Sequence, residues 1–245
     1  MLRSDYFGFS ISRETIRRRS KKGGNMSKKI ISIADAVSKI EDGMTLMIGG
    51  FMGVGTPHQI IDEMVKKGLK DLTIICNDTG LKNTGIGRLV YENMVKKVIT
   101  SHIGTNPETG RQMTEELIDV DLVPQGSLVE KIRAGGAGLG GVLTPTGLGT
   151  IVEEGKEIIE VDGKKFILEK PLRADVALLL GHVVDTKGNI TYNNTARNFN
   201  PIMATAADLV IVEAENIVEC GSINANDVVT PRIFVDYVVG SDNNG

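Results

Sequence analysis

The sequence contains few residues of the kinds that mark redox, metal-binding or membrane proteins. Its 245 residues include only two cysteines, Cys76 and Cys220, each in or next to an apolar stretch. They predict buried thiols in a reducing compartment rather than a redox or metal site. The three histidines form no pair with metal-ligand spacing, so no metal is expected. There is no run of 18 apolar residues and no signal-peptide core, so we expect a cytoplasmic protein.

Positive charge is concentrated at the N-terminus. Residues 1–25 hold seven Lys or Arg and two acids, a net +5, so the overall −3 leaves −8 for residues 26–245. The acidic body argues against a nucleic-acid-binding surface. The basic tail alone is compatible with a mitochondrial transit peptide or a nucleic-acid-binding arm. A third interpretation fits better: codons for Lys21–Asn25 can form a bacterial ribosome-binding sequence ahead of Met26, which makes residues 1–25 a leader or a mis-assigned start.

From Met26 onward, short apolar runs alternate with helical patterns. This alternation predicts an α/β fold of three layers, α/β/α, with a mainly parallel open sheet. Polar turns at 162–163 and 187–189 predict hairpins, in a small excursion at 155–170 and an antiparallel edge near 183–192. Residues 26–240 are expected to form one domain and 241–245 a tail. Strands are predicted at Thr45–Ile48, Leu72–Cys76, Val98–Ser101, Val120–Val123, Val176–Leu180, Leu209–Glu213 and Ile233–Val239, and helices at Ile31–Glu41, Glu108–Leu117 and Ser127–Ala134.

The most informative segment is a glycine-rich turn, Gly49–Gly55, between a predicted strand and a predicted helix. Thr56 is placed to cap that helix and Pro57 to occupy its first position. Backbone N–H groups at the positive end of a helix suit a phosphate, a carboxylate or an incipient oxyanion. We expect Gly50 to leave space that a ligand needs. A tight strand-to-helix connection without a ligand is the alternative.

Two familiar nucleotide-binding motifs do not fit the sequence. A P-loop needs a lysine after its last glycine, but Gly55 is followed by Thr56-Pro57. The spacing GxGxxG does occur at Gly136, Gly138 and Gly141, but after a helical stretch, whereas a dinucleotide fingerprint follows a strand. Nucleoside triphosphate chemistry and dinucleotide binding are therefore not expected.

The segment from Asp42 to Pro57 resembles the signature of the alpha subunits of family I coenzyme A transferases. The signature is an acidic residue and a glycine, an apolar triplet, Gly-Gly-Phe, three residues, a glycine, any residue and a proline. The resemblance is closest to the bacterial acetate, butyrate and acetoacetate coenzyme A transferases, and it implies a coenzyme A transferase-like fold. It continues through residues 77–78, 101–107, 124–126, 132–138, 144–147, 172–175 and 195–201.

The resemblance also implies which residues bind the substrate. Coenzyme A or acyl-CoA is expected as a substrate, with no permanently bound cofactor. Asn77 and Gln125 are expected beside the reacting carbonyl, where an amide can donate a hydrogen bond to a developing oxyanion. Both follow predicted strands, where open α/β sheets bind ligands, although a turn-capping role is the alternative for each. The expected coenzyme A contacts are Gly49, Gly50, Phe51, Met52, Gly53, Val54 and Gly55.

The family's nucleophile is absent from this chain. Related transferases use a glutamate in a Ser-Glu-Asn-Gly segment of the beta subunit, which forms a glutamyl-CoA intermediate. The Glu-Asn pairs here, at 92–93 and 215–216, lack the flanking serine and glycine and are interpreted as structural or surface residues. A beta subunit must therefore supply the nucleophile, with two alpha and two beta chains expected. A phosphosugar isomerase, a sugar-phosphate-sensing regulator and a non-catalytic scaffold are the competing hypotheses.

Overall fold

The computed structural model describes residues 30–241. The predicted leader and the last four residues of the predicted tail lie outside this range. The helices are α1 (Ile33–Val37), α2 (His58–Lys67), α3 (Ile86–Tyr91), α4 (Pro107–Thr114), α5 (Gln125–Ala137) and α6 (Asn200–Met203). The strands are β1 (Thr45–Ile48), β2 (Leu72–Ile75), β3 (Val95–Thr100), β4 (Asp119–Leu122), β5 (Val142–Thr144), β6 (Ile158–Val161), β7 (Lys164–Glu169), β8 (Ala174–Asp185), β9 (Ile190–Thr191), β10 (Ala207–Val218) and β11 (Tyr237–Gly240).

Eight strands form one sheet in the order β11-β10-β8-β1-β2-β3-β4, with β9 paired to β8. Every neighbour pair is parallel except β8 with β9, which is antiparallel. This confirms the mainly parallel sheet and the antiparallel edge predicted from the sequence. The chain runs outward from β1 through β4 on one side, and β8 then pairs with the other side of β1. The carboxyl end of β1 therefore lies at the point where the strand order reverses, the usual ligand site of open α/β sheets.

Two apolar clusters cover the two faces of the sheet. Leu46 and Ile48 of β1 point to one face and pack with α1, α2 and α3. Met47, between them, points to the other face and packs with α5 and α6. This alternation follows from the pleat of a strand, which sends successive side chains to opposite sides. The predicted three-layer α/β/α architecture is confirmed.

A separate antiparallel sheet has the strand order β5-β7-β6. The turn at Asp162-Gly163 joins β6 to β7, as the sequence predicts. A buried ion pair connects this sheet to α5: the Glu169 carboxylate accepts hydrogen bonds from Lys131 Nζ at 3.0 Å and from Lys156 Nζ at 2.6 Å. Within residues 30–241, no helix combines the length and apolar character needed to cross a membrane.

Candidate active site at the carboxyl edge of the sheet

The glycine turn Gly49–Gly55 leaves the end of β1 and folds into a miniature hairpin. Phe51 and Val54 exchange two backbone hydrogen bonds, each 2.9 Å long. Met52 and Gly53 form the tip, with φ of 48° and 87°. Positive φ at both tip positions is typical of a type I′ turn, which favours asparagine and glycine. Methionine in this left-handed region is strained by roughly 1–2 kcal/mol, and strain of this kind clusters at functional sites.

The tip of the turn presents apolar side chains to the solvent. Phe51 is 44% exposed, Met52 46% and Val54 50%. Three exposed apolar side chains thus lie within four residues at the strand-order reversal, and clustered exposed apolar groups are typical of interaction sites. The tip is thus available to contact a ligand or a partner chain.

Two asparagines hold the base of the turn. The Asn198 side chain accepts a hydrogen bond from Gly50 N–H at 3.2 Å and donates one to the Val54 carbonyl at 2.9 Å. The buried Asn200 amide donates to the Gly55 carbonyl at 3.0 Å. These bonds join the turn to the segment that follows β9, so that only the tip projects from the edge.

The glycines of the turn serve two different purposes. A Cβ added to Gly50 would lie 1.9 Å from Thr56 Oγ1, so the Thr56 hydroxyl occupies the space beside Gly50. The expectation that Gly50 leaves room for a ligand is therefore wrong. At Gly53, by contrast, the nearest described atom to an added Cβ is His58 Cε1, at 4.0 Å. Gly53 faces open space, and it is the better probe of what the tip contacts.

A side chain from β10 caps the helix that follows the turn. Helix α2 begins at His58, and the N-cap position is Pro57. The predictions that Thr56 caps the helix and that Pro57 is its first residue are therefore wrong by one position. Instead, the Glu213 carboxylate accepts hydrogen bonds from the backbone N–H groups of Ile60, at 2.9 Å, and Gln59. The positive end of α2 is thus already occupied by a carboxyl group of the chain itself. A bound ligand must rely on the turn itself rather than on this helix start.

Burial of Glu213 makes its ionised form unfavourable. The side chain is 3% exposed, and burial is the largest cause that raises its pKa from 4.5 to about 7. The N–H groups of Ile60 and Gln59 lower the pKa, whereas the nearby carboxylates of Asp62 and Glu215 raise it further. Glu213 therefore takes up a proton on folding at mildly acidic pH.

This proton uptake predicts a loss of stability as the pH rises. The folded-state pKa of Glu213 lies above the unfolded one. Protonation of Glu213 therefore contributes fully to the free energy of unfolding below pH 4.5, and this contribution disappears as the pH rises through about 7. It amounts to about 3 kcal/mol at most. Urea unfolding midpoints of the assembled protein at about pH 5 and about pH 7.5 should differ less in a Glu213→Gln variant than in the wild type. Equal pH dependence in both proteins would contradict the assignment.

The two predicted amides lie together at the same edge. Gln125 Nε2 donates a hydrogen bond to Asn77 Oδ1 at 2.7 Å. The Ser101 hydroxyl donates to the same oxygen at 3.2 Å. Asn77 is only 1% exposed, whereas Gln125 is exposed at the start of α5. Gln125 is thus the amide that can reach a substrate, and the hydrogen bond to the buried Asn77 orients it.

Asp78 joins this amide pair to the glycine turn. One carboxylate oxygen accepts hydrogen bonds from Met52 N–H at 3.0 Å and from Asn77 Nδ2 at 3.3 Å. The other oxygen accepts from Gly80 N–H at 2.8 Å. A cavity of about 10 Å³ remains between Asp78 and the base of the turn, which is room for roughly one water molecule. The turn and the amides therefore form one continuous hydrogen-bonded unit.

The glutamates of the two Glu-Asn pairs, and His58, make other contacts. Glu92 is exposed at the end of α3, and Glu215 Oε2 lies 2.6 Å from His182 Nδ1. His58 Nε2 lies 3.1 Å from the Gly53 carbonyl and so supports the turn. Within the described part of the chain, no three His, Cys, Asp or Glu side chains gather as metal ligands would.

Four residues that shape this edge have roles that the sequence alone does not indicate. They are Asp78, Asn198, Asn200 and Glu213. The first three lie in segments that carry the family resemblance, so their positions were signalled even though their roles were not. The signal for Glu213 was a carboxylate at the end of the apolar run from Leu209, where a buried charge needs a partner.

Comparison with known proteins is consistent with the resemblance. Residues 30–241 match the sequence profile of the coenzyme A transferase family. The chain is 53% identical over 216 residues to the acetate CoA-transferase subunit alpha of Escherichia coli, covering 88% of this chain and 98% of that subunit. It is 53% identical over 214 residues to the acetoacetyl-CoA:acetate/butyrate CoA transferase alpha subunit of Clostridium acetobutylicum, covering 87% of this chain and 98% of the relative.

The fold is also similar to that of a solved structure. An acyl-CoA transferase from Escherichia coli O157:H7, determined as a thioester complex with CoA, superposes with a TM-score of 0.80 at 22% identity. The match covers 89% of this chain and 48% of that chain. At this identity the likeness concerns the fold, and this chain spans about half of that longer polypeptide.

Proposed function

This chain belongs to the coenzyme A transferase family, and we propose that it is the alpha subunit of an enzyme that moves coenzyme A between a short-chain acyl-CoA and a free carboxylate. The carboxylates are acetate, butyrate or acetoacetate, because the relatives with 53% identity are named for these acids. Coenzyme A enters and leaves as a substrate, with no cofactor held permanently. The enzyme works in the cytoplasm.

The proposal rests on one observation: an exposed apolar turn and an amide donor lie at the same edge of the sheet. The Phe51, Met52 and Val54 side chains offer a surface for the arm of coenzyme A, which carries its thiol. The Gln125 amide, fixed by Asn77 at 2.7 Å, offers a hydrogen-bond donor to the carbonyl next to that sulfur. A thioester needs both kinds of contact.

The chemistry of thioester exchange gives the two subunits different roles. A glutamate of the beta subunit, in its Ser-Glu-Asn-Gly segment, attacks the thioester carbonyl, and the tetrahedral intermediate expels the coenzyme A thiolate to give an acyl-glutamyl anhydride. The thiolate then attacks the glutamyl carbonyl and releases the free acid, which leaves a glutamyl-CoA thioester. Each attack places negative charge on a carbonyl oxygen, where a positioned amide donor lowers the barrier. Gln125 supplies that donor, while the turn holds coenzyme A.

The two chains share one site, so the enzyme is active only when assembled. The relatives' names as alpha subunits support a beta subunit here. We propose two alpha and two beta chains.

The test combines this chain with a chain that carries the Ser-Glu-Asn-Gly segment. Acetyl-CoA with butyrate or acetoacetate should yield the exchanged acyl-CoA and acetate without ATP when both chains are present. Each chain alone should give none, since each holds half of the site. The proposal fails if the pair transfers no coenzyme A while this chain alone isomerises a sugar phosphate.

A further inference from the structure

The tip of the glycine turn is held by a residue outside the turn. Met52 has a φ of 48°, a conformation that methionine seldom adopts, and its side chain is largely exposed. Neither the side chain's packing nor its intrinsic preference therefore explains this conformation. Its N–H, however, donates to a carboxylate oxygen of Asp78 at 3.0 Å. This bond fixes the orientation of the strained peptide.

Asp78 is well suited to hold several groups at once. The side chain is 2% exposed, and its two oxygens accept hydrogen bonds from Met52 N–H, Asn77 Nδ2 and Gly80 N–H. A carboxylate accepts at both oxygens, which matches three N–H donors that converge from three directions. An uncharged amide of the same shape would offer one acceptor and present its own N–H groups to the remaining donors.

The contacts of Asp78 extend to the exposed amide. Asn77, which donates to Asp78, receives the hydrogen bond of Gln125 Nε2 at 2.7 Å. An unbroken series of hydrogen bonds thus runs from Met52 at the tip of the turn to Gln125 at the start of α5. The Asp78 carboxylate therefore links the tip of the turn directly to the amide pair.

We propose that Asp78 is a positioning residue, which holds the strained tip of the glycine turn at a fixed distance from the Asn77–Gln125 amide pair. The inference rests on the proposed function, in which the tip contacts coenzyme A and Gln125 contacts the reacting carbonyl. Asp78 itself contacts neither coenzyme A nor the reacting carbonyl. It keeps the tip of the turn and Gln125 at the right distance from each other, and small misplacements of such groups reduce turnover steeply.

The first test replaces Asp78 by asparagine in the assembled enzyme. Asp78→Asn keeps the volume and removes one acceptor, so kcat/KM for the acyl-CoA should fall roughly tenfold or more. The matched control is Asp185→Asn. Asp185 is also 2% exposed and accepts N–H groups of Lys187 and Asn189, but in the hairpin between β8 and β9. Equal activity of the two variants would overturn the proposal.

A second variant separates positioning from a general loss of stability. Asn-Gly is the preferred pair in type I′ turns, so Met52→Asn should hold the tip with less help from Asp78. The loss caused by Asp78→Asn should then be at least about threefold smaller in the Met52→Asn background than in the wild type. Identical losses in both backgrounds would show that Asp78 does not act through the tip.

A third readout does not depend on activity. Amide hydrogen exchange in a peptide covering residues 49–56 should be faster in Asp78→Asn and unchanged in Asp185→Asn, because only the first variant releases Met52 N–H. Unchanged exchange in both variants would overturn the inference. If the wild-type assembly transfers no coenzyme A, the proposed function fails, while the exchange result still decides whether Asp78 holds the turn.

Discussion

Replacing Gly53 by asparagine should lower kcat/KM for the acyl-CoA by about a hundredfold while the fold and the assembly with the partner persist. A Cβ added at Gly53 meets no described atom nearer than 4.0 Å, so the backbone of the turn has room for a side chain there. Asparagine also tolerates the positive φ of this position better than other non-glycine residues. The added side chain would lie where the proposal places coenzyme A. Steady-state kinetics of the assembled enzyme measures the loss.

The chain contains a matched control for this substitution. The hairpin between β6 and β7 has Asp162 and Gly163 at its tip, with φ of 50° and 74°, and a Cβ on Gly163 meets nothing within 4 Å. Gly163→Asn therefore carries the same backbone cost at a turn outside the proposed site. It should leave kcat/KM unchanged. If both variants retain full activity, the glycine turn does not contact the substrate.

Replacing Gln125 by alanine should lower kcat by about 10² to 10³, which is the usual effect of removing one oxyanion donor. KM should change little, because the donor acts mainly on the charge that develops during the reaction. Gln125 is exposed at the start of α5, so the fold should tolerate the loss. The measurement is the separation of kcat from KM in the assembled enzyme.

Two further variants sharpen this prediction. Gln125→Glu keeps the shape but replaces the donor by a carboxylate, so it should be as inactive as the alanine variant. Glu130→Ala changes a side chain further along α5 that pairs with Arg133 at the surface, and it should be fully active. An active Gln125→Glu enzyme would exclude the amide as an oxyanion donor.

The sequence predicts the middle of the central sheet well because inner strands such as β1 and β2 are buried on both faces. Such strands appear as short apolar runs, and β1 was predicted with its observed bounds, Thr45–Ile48. β8 and β10 were predicted with five residues each but have twelve. They continue beyond β1 as a pair, where partly exposed residues such as His182 and Glu215 interrupt the apolar pattern. Hydrophobic periodicity therefore does not predict strand pairing that lies outside the core.

The first predicted helix shows a limit of the same kind. The apolar spacing extends over Ile31–Glu41, yet α1 covers only Ile33–Val37. Ile31 N–H donates to the Val238 carbonyl at 2.9 Å, so the chain is still extended beside β11 at that point. The Ser32 side chain then caps the helix. The spacing of apolar residues alone does not distinguish a helix from the strand and turns next to it.

The site was predictable where it depends on the ends of individual strands. Asn77 and Gln125 each follow a strand, and the parallel strands of one sheet all end at the same edge. The contact between Glu213 and Ile60 joins residues 153 positions apart. It depends on which strand lies beneath the start of α2, and local sequence does not contain that information. The carboxyl group that caps this helix start is therefore visible only in the structure.

In the proposed function, this chain binds and polarises the thioester while the partner chain supplies the nucleophile. Intact-mass spectrometry of the assembled enzyme after incubation with acetyl-CoA, without an acceptor acid, distinguishes these two roles. The partner chain should gain the mass of coenzyme A less one water, while this chain keeps its mass. Attachment of coenzyme A or an acyl group to this chain would show that the nucleophile lies here instead.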